Sequence, residues 1–441
     1  MRKIPDGIQC INIEKCIGNN EKLKIDEFLK EFLKLGIFAN EKQSLYYYQE
    51  RLGRWKRISK EESIKTFKRH IPNSSPIYIS VQKLKLLYDE LTSVPDTPKL
   101  RYTTDNVNVE NGIVDMDTFK LMNHDKSMYF DKVRHFKYIP EAKIDEAKIF
   151  QAYVKNSIGC EGIADNKFVL LMEIIGYLIS NYFTAKKAFF LLGNSGLGKS
   201  ILLHLLEAVF DEDYSIVPLH DLTDRFRLFL MDDKTINIVH EVGTSELKNL
   251  CVFKQLVSGE SVVVEGKGQQ PTMKSVKTKL VFSANQLPNF SSLELNDSLI
   301  KRLLVISYTG QVTKPDDDLI KKILAEKDII CSVALRYAKK LKERNFQFTR
   351  IKESCDILEN HFENINSIKM FVEENCKIDN DAKEHYQDLV KNYNKFCKDN
   401  CFMPLTERGF KTYLINNYHL KMDRFRKKDK NLRGLVGIEL K

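Results

Sequence analysis

"FFLLGNSGLGKSILLHLL", residues 189–206, places four apolar residues directly before a glycine-rich loop and a helix-forming run directly after it. The apolar run predicts a buried strand, and "GNSGLGKS" at 193–200 has the spacing of a phosphate-binding loop. Gly193 and Gly198 let the backbone turn tightly, so that the N–H groups of the loop, through Asn194, Ser195, Gly196 and Leu197, face an anion. Lys199 is placed to reach the outer phosphates of a nucleotide and Ser200 to hold Mg2+. A helix beginning at Ser200 aims its positive dipole end at the same charge. Kinases, GTPases and motors share this device, so the loop predicts ATP and Mg2+ as ligands and leaves the reaction to residues further on.

A hydrolytic motor needs a carboxylate to polarise the attacking water, commonly at the end of a second buried strand. "KTINIVHEVG" supplies an apolar strand over Ile236 to Val239 followed by His240 and Glu241, and Glu241 is the expected catalytic carboxylate. His240 occupies the position where many such motors carry an acid near Mg2+. Asp232 and Asp233 precede the strand and read as a turn. "TKLVFSANQLPNF" predicts another strand, with Asn285 at its tip able to hydrogen-bond the γ-phosphate or the water. Seventeen residues later Arg302 stands just before the apolar run "LLVIS", where it cannot easily reach its own phosphate but can stabilise charge in a neighbour's site.

The chain has 441 residues, enough for about two or three domains. Lys and Arg outnumber Asp and Glu by 70 to 60, a net charge of +10 that suits an acidic partner without requiring one. Nine cysteines with no C-x-x-C pair speak against a disulfide framework or a zinc site and predict a reducing, cytoplasmic setting. "MRKIPDGIQCINIEK" lacks an apolar signal-peptide core, and the greasy run "FVLLMEIIGYLIS" is too short to span a bilayer and contains Glu173.

Hydrophobic periodicity predicts an α/β protein of several modules. Residues 1–104 form a mixed α+β unit in which "SLYYYQERLGRWKRIS" reads as a strand or hairpin. Residues 105–182 form a β and helical adaptor, with an Asn111-Gly112 turn signal and with Phe168, Leu171, Ile175 and Leu178 at helical spacing. The alternating strands and helices of 183–312 are the nucleotide core. A helical lid or linker over 313–365 and a compact basic module over 366–441 complete the chain.

In the order of these features the chain resembles the superfamily 3 DNA helicases, specifically the replication proteins of phages, plasmids and pathogenicity islands related to the poxvirus primase-helicase. The likeness covers most of residues 105–441: "LCVFKQLVSGESVVVEGKGQQPTMKSVKTKL" has the family's helix and lysine-bearing hairpin, and the tail from "SIKMFVEEN" to "RGLVGIEL" is similar to its winged helix. The resemblance implies an AAA+-like core, ATP hydrolysis, and a ring, usually hexameric, around one DNA strand. It implies Gly193, Gly198, Lys199 and Ser200 at the nucleotide, Glu241 as catalytic carboxylate, Asn285 as sensor, Arg302 as the finger acting on a neighbour, and Lys267 at the tip of the pore hairpin. The first hundred residues leave no room for the primase domain that often precedes such helicases, which leaves open whether a separate primase joins it.

In the tail, Lys421, Arg424, Arg426, Lys427, Lys428, Lys430 and Arg433 crowd thirteen residues around Phe425. This cluster is the expected wing, and the helix from about Thr406, bearing Arg408 and Lys411, is the expected groove-reading helix. The function so predicted is a replicative helicase of a mobile element that binds single-stranded and forked DNA and recognises origin duplex. An ATP-switched DNA-binding protein without processive unwinding, and a small-molecule kinase, are the competing classes. The kinase fits the loop but neither the hairpin nor the tail.

Overall fold

A computed structural model describes residues 9–17, 24–41, 44–72, 79–93, 105–243, 250–268, 270–288, 290, 297–312, 316–400, 402, 404–427 and 430–441. Alternating aromatic and polar residues near the N-terminus fold into an antiparallel meander of β1 (Phe38–Glu41), β2 (Ser44–Gln49) and β3 (Arg54–Arg57). Helix α1 (Ile25–Lys34) precedes it, and α2 (Lys60–Arg69) and α3 (Val81–Ser93) follow. Ser59 and Glu62 form a reciprocal capping box that starts α2. Phe28, Phe32, Phe38 and Phe67 pack edge to face and tilted at the centre of this unit. Its far side is tied to the next segment: the Trp55 indole donates to the Lys126 carbonyl at 3.0 Å, and the Asn108 amide donates to the carbonyls of Leu52 and Gly53.

Glu110 and Asn111 turn β4 (Val107–Val109) into β5 (Gly112–Val114), one residue earlier than the Asn111-Gly112 signal places it because Gly112 already pairs with Val109, and β6 (Leu121–Met122) completes a small antiparallel sheet. Helix α4 (Lys148–Tyr153) runs into a π-helical turn at Val154–Ile158, and α5 (Asn166–Ile179) follows. Phe168, Leu171, Ile175 and Leu178 of α5 are all buried, as their spacing predicts. Glu173 in the same helix is only 1% exposed because the Arg344 guanidinium and both the amide and hydroxyl of Thr349 hold its carboxylate. Among the described residues no helix is long and apolar enough to cross a membrane.

The middle of the chain builds β7 (Ala188–Leu192), α6 (Lys199–Phe210), β8 (Tyr214–Ser215), α7 (Arg225–Phe229), β9 (Ile236–Val239), α8 (Cys251–Ser258), β10 (Ser261–Val264), β11 (Thr272–Ser275), β12 (Lys279–Ala284), α9 (Asp297–Ile300) and β13 (Leu303–Ser307). Five strands join in the order β13-β7-β12-β9-β8, and every pair is parallel. A parallel sheet must be covered on both faces, which is why its strands read as continuous apolar runs. Phe189, Leu191, Ile236, Ile238 and Val281 face one cluster with α5 and α6; Ala188, Phe190, Val239, Phe282 and Val305 face another with α8. All loops that leave the C-terminal ends of these strands therefore lie along one edge, where open α/β sheets bind ligands.

One buried charge fixes this sheet to α5. Lys279, 4% exposed at the start of β12, donates to the carbonyls of Tyr177 (2.6 Å), Leu178 (2.9 Å) and Ser180 (2.6 Å), groups that the end of α5 leaves without helical partners.

Helices α10 (Leu319–Ala325) and α11 (Lys327–Glu343) return to pack on the α5 side. Gly176 permits the close crossing of α5 and α11, since a Cβ there would meet the Ala334 carbonyl oxygen at 2.1 Å. Then come α12 (Lys352–Asn375), β14 (Cys376–His385), α13 (Tyr386–Asp399), α14 (Glu407–Tyr418), β15 (Lys421–Lys427) and β16 (Lys430–Leu440), whose strands form an antiparallel sheet ordered β14-β16-β15. The division expected at 365/366 falls inside α12. Ile357 and Leu358 at its start pack on the central core, and Ile368, Phe371 and Val372 at its end belong to the C-terminal core, so one unbroken helix serves both. The fold is α/β with a parallel sheet at its centre.

Candidate functional site

The glycine-rich loop lies between β7, the second strand of the sheet order, and α6, which begins at Lys199 with Gly198 as its cap. Gly198 has a φ of 80° and fits only without a side chain: a Cβ would sit 2.9 Å from the Ser157 hydroxyl and 3.1 Å from the Tyr153 ring. Gly193 is equally confined, with the Tyr308 carbonyl 2.6 Å from where a Cβ would be. The phenol of Tyr153 donates to the Gly198 carbonyl at 3.0 Å and pairs with the Tyr308 hydroxyl at 3.1 Å; burial raises both phenols above the usual tyrosine range. Sequence reasoning missed this brace, because tyrosines 155 positions apart carry no local signal that they meet.

Lys199 is 8% exposed and folds back over the loop, its ammonium bonding the carbonyls of Gly193 and Asn194 and, at 3.1 Å, the side-chain oxygen of Asn285. Burial lowers its pKa from the usual lysine range, and the charge of Glu241 opposes that shift. Asn285 is exposed at the tip of β12, the strand between β7 and β9. Glu241, also exposed, lies just beyond β9. Two backbone bonds hold the three tips together: Gly193 N–H to the Ala284 carbonyl at 3.3 Å, and Val242 N–H to the Ser283 carbonyl at 2.9 Å. Asn194, Ser195, Gly196 and Ser200 are exposed, and Leu197 is half-buried, so the anion-facing side of the loop is open. Asp232 and Asp233 lie in a turn before β9, as their sequence context predicts, with Asp233 at φ 67°.

Arg302 belongs to the opposite edge. Leu303 pairs with Ala188 and Ser307 with Leu192, so Arg302 stands level with Lys187 at the strand beginnings, roughly 20 Å of strand rise from Gly193. Its guanidinium bonds the Ser258 hydroxyl at 3.1 and 3.3 Å, at the end of α8.

Beyond Ser258, β10 and β11 form the expected antiparallel hairpin, and Lys267 and Gly268 make an exposed turn at its tip. Ion pairs fasten both strands to the sheet side: Arg225 pairs with Glu265, just past the turn end of β10, at 2.7 Å, and Lys274 on β11 pairs with Asp232.

At the C-terminal end, Thr406 caps α14 by accepting from the Gly409 N–H at 3.2 Å, with Arg408 exposed and Lys411 half-buried. Lys421, Arg424 and Arg426 are exposed on β15. Lys427 is half-buried and bonds the Glu384 carboxylate at 2.9 Å, so its charge already has a partner. Phe425 stacks on His385 with ring centroids 5.4 Å apart. Lys428 lies outside the described residues.

The model of a family of unknown function, DUF5906, matches residues 191–302, from the end of β7 to Arg302. No curated protein matches the chain. Among solved structures the chain is similar to the A-form apo structure of the C-terminal region of NrS-1, at 13% identity and a TM-score of 0.48, covering 93% of this chain and 98% of that one. A second apo structure of the same region aligns at 14% identity and a TM-score of 0.47, covering 94% and 100%.

Proposed function

We propose that this chain is an ATP-dependent replicative DNA helicase of the superfamily 3 type, acting as a ring, usually six subunits in that family, on single-stranded DNA. The observation that carries the reading is the meeting of three chemistries at neighbouring strand tips: Lys199 behind a glycine loop, Asn285 within hydrogen-bond reach of it, and Glu241 close enough to act on its charge. Lys199 and the loop amides bind the triphosphate of ATP, Ser200 holds its Mg2+, Glu241 activates water, and Asn285 reports the γ-phosphate. A kinase needs no such carboxylate for water.

Arg302, remote from its own loop, acts on the nucleotide of the next subunit. Its bond to Ser258 at the foot of the β10–β11 hairpin supports a direct link from the intersubunit site to Lys267, which grips DNA phosphates. The element order from α12 to β16 supports a winged helix in which α14, with Arg408 and Lys411, enters the groove of origin duplex and β15, with Lys421, Arg424 and Arg426, tracks the backbone. These assignments make the protein a replication initiator as well as a motor, encoded by a bacterial host, phage or mobile element and acting in the cytoplasm.

A forked-duplex unwinding assay with ATP and Mg2+ tests the reading: strand separation is expected. ATP turnover stimulated by DNA without strand separation would assign the chain to ATP-switched DNA remodelling, and turnover indifferent to DNA would remove both.

A further inference from the structure

Three side chains outside the nucleotide constellation point their donor atoms at one another. His204 and Glu207 are three residues apart on α6, on one face of that helix. His240 follows β9, directly before Glu241. Alternation along β9 turns Ile236 and Ile238 toward the α6 side of the sheet, which sends His240 the same way. The Glu207 carboxylate then receives His204 Nδ1 on one oxygen and His240 Nε2 on the other, both at 2.7 Å, and the two rings lie 4.8 Å apart.

We propose that His204, Glu207 and His240 form a binding site for a divalent transition-metal ion of the zinc class, separate from the Mg2+ carried by the nucleotide. Two imidazoles and one carboxylate are a donor set that zinc accepts, with water completing the shell on the open side. A tetrahedral zinc with bonds of roughly 2.1 Å separates its donors by roughly 3.4 Å, and the three donor atoms here all lie within 4.8 Å of one another. Magnesium, which prefers oxygen ligands and sheds its water reluctantly, is disfavoured at the same place. The side chains are 48%, 20% and 36% exposed, so an ion reaches them from solvent without any opening of the core.

Position gives the ion a consequence. Helix α6 starts at Lys199, and His240 is bonded through the chain to Glu241. A bound ion fastens the phosphate-loop helix to the tip of β9 and fixes the spacing between those two residues.

The site does not depend on the helicase reading, because its test uses the full chain without nucleotide or DNA. Zn2+ titration against a chromophoric chelator, in excess Mg2+, is expected to show one ion per chain. Co2+ in its place is expected to show visible ligand-field bands without a thiolate charge-transfer band. His204→Ala and His240→Ala are each expected to weaken Zn2+ binding by more than the roughly 10- to 100-fold that follows loss of a residue merely supporting a ligand. Glu207→Gln, which keeps the length of the side chain and one acceptor oxygen but puts an amide NH2 donor in place of the other, is expected to lose the ion while staying folded. Absence of stoichiometric binding, a thiolate band marking a cysteine site, or undiminished affinity in any of the three variants would overturn the proposal.

Discussion

The Lys199 ammonium stands 3.1 Å from the side-chain oxygen of Asn285, joining the first residue of α6 to the tip of β12. Two residues 86 positions apart therefore share a single charge-assisted bond at the mouth of the loop. On the proposed function, a γ-phosphate entering this mouth would compete for the same ammonium and release Asn285 to bond the phosphate or the water. Lys199→Ala is expected to abolish ATP turnover. Asn285→Ala is expected to retain nucleotide and lose turnover by about 100-fold, the scale of one lost transition-state donor. Nucleotide affinity and turnover measured side by side check the pair; equal loss of both in Asn285→Ala would contradict the sensor role.

Arg302 is separated from its own loop by the length of a strand and leans on Ser258. Arg302→Ala is expected to keep ATP affinity and reduce turnover by about 10³-fold or more, as loss of a trans-acting arginine does. Mixing it with Lys199→Ala subunits is expected to restore part of the activity, because each variant then supplies the half the other lacks. Full activity of Arg302→Ala alone would sink the shared-site arrangement.

The hairpin tip presents a lysine between two glycines, so on the proposed function each subunit would offer DNA a single charge there. Lys267→Ala is expected to weaken single-strand binding and to flatten its salt dependence by about 0.7 in log-log slope for each phosphate the lysine neutralises. Fluorescence anisotropy across a salt series reads both quantities. An unchanged slope would place the DNA-gripping charge elsewhere.

Lys421, Arg424 and Arg426 lie together on β15, and the triple alanine variant is expected to lose duplex affinity while its log-log salt slope falls by about 0.9 for each phosphate these side chains neutralise. Single-strand binding through the hairpin is expected to change less. Duplex affinity equal to that of the parent would remove β15 from the interface.

Glu384 gives the C-terminal unit a pH dependence. Burial by itself raises its pKa, but Lys427 and the backbone N–H groups of Leu440 and His385 outweigh burial and leave it below the usual value of 4.5. An acid depressed on folding contributes stability that is present above its unfolded pKa and is lost as pH falls through the folded one. Urea denaturation is therefore expected to show the parent more stable than Glu384→Gln at neutral pH, with the gap closing below about pH 4.5. A gap independent of pH would assign the difference to packing.

Much of the fold is encoded locally. The strand-loop-helix at 188–210, the β4–β5 turn to within one residue, the β10–β11 hairpin around Lys267 and the Thr406 cap follow from apolar runs, glycines and capping residues within a dozen positions of one another. The fate of charged residues in apolar runs was not legible. Glu173 and Lys279 are tolerated only because Arg344, Thr349 and the carbonyl end of α5 arrive from elsewhere in the chain. Lys427 looked like one of a row of basic residues, and Glu384 from the neighbouring β14–β16 ladder took its charge.

The sequence by itself determined the α/β class and the residues Lys199, Glu241, Asn285 and Arg302 as candidates, since strand and helix periods and short-range spacing are encoded by neighbours. Only the tertiary structure decided which of them meet. Strand order put Asn285 beside Lys199 and left Arg302 at the opposite edge, turned His240 toward Glu207, and set Tyr153 and Tyr308 beneath the loop. Such pairings depend on how a parallel sheet is threaded by its crossover helices, and burial on both faces makes every strand look alike to a local reading.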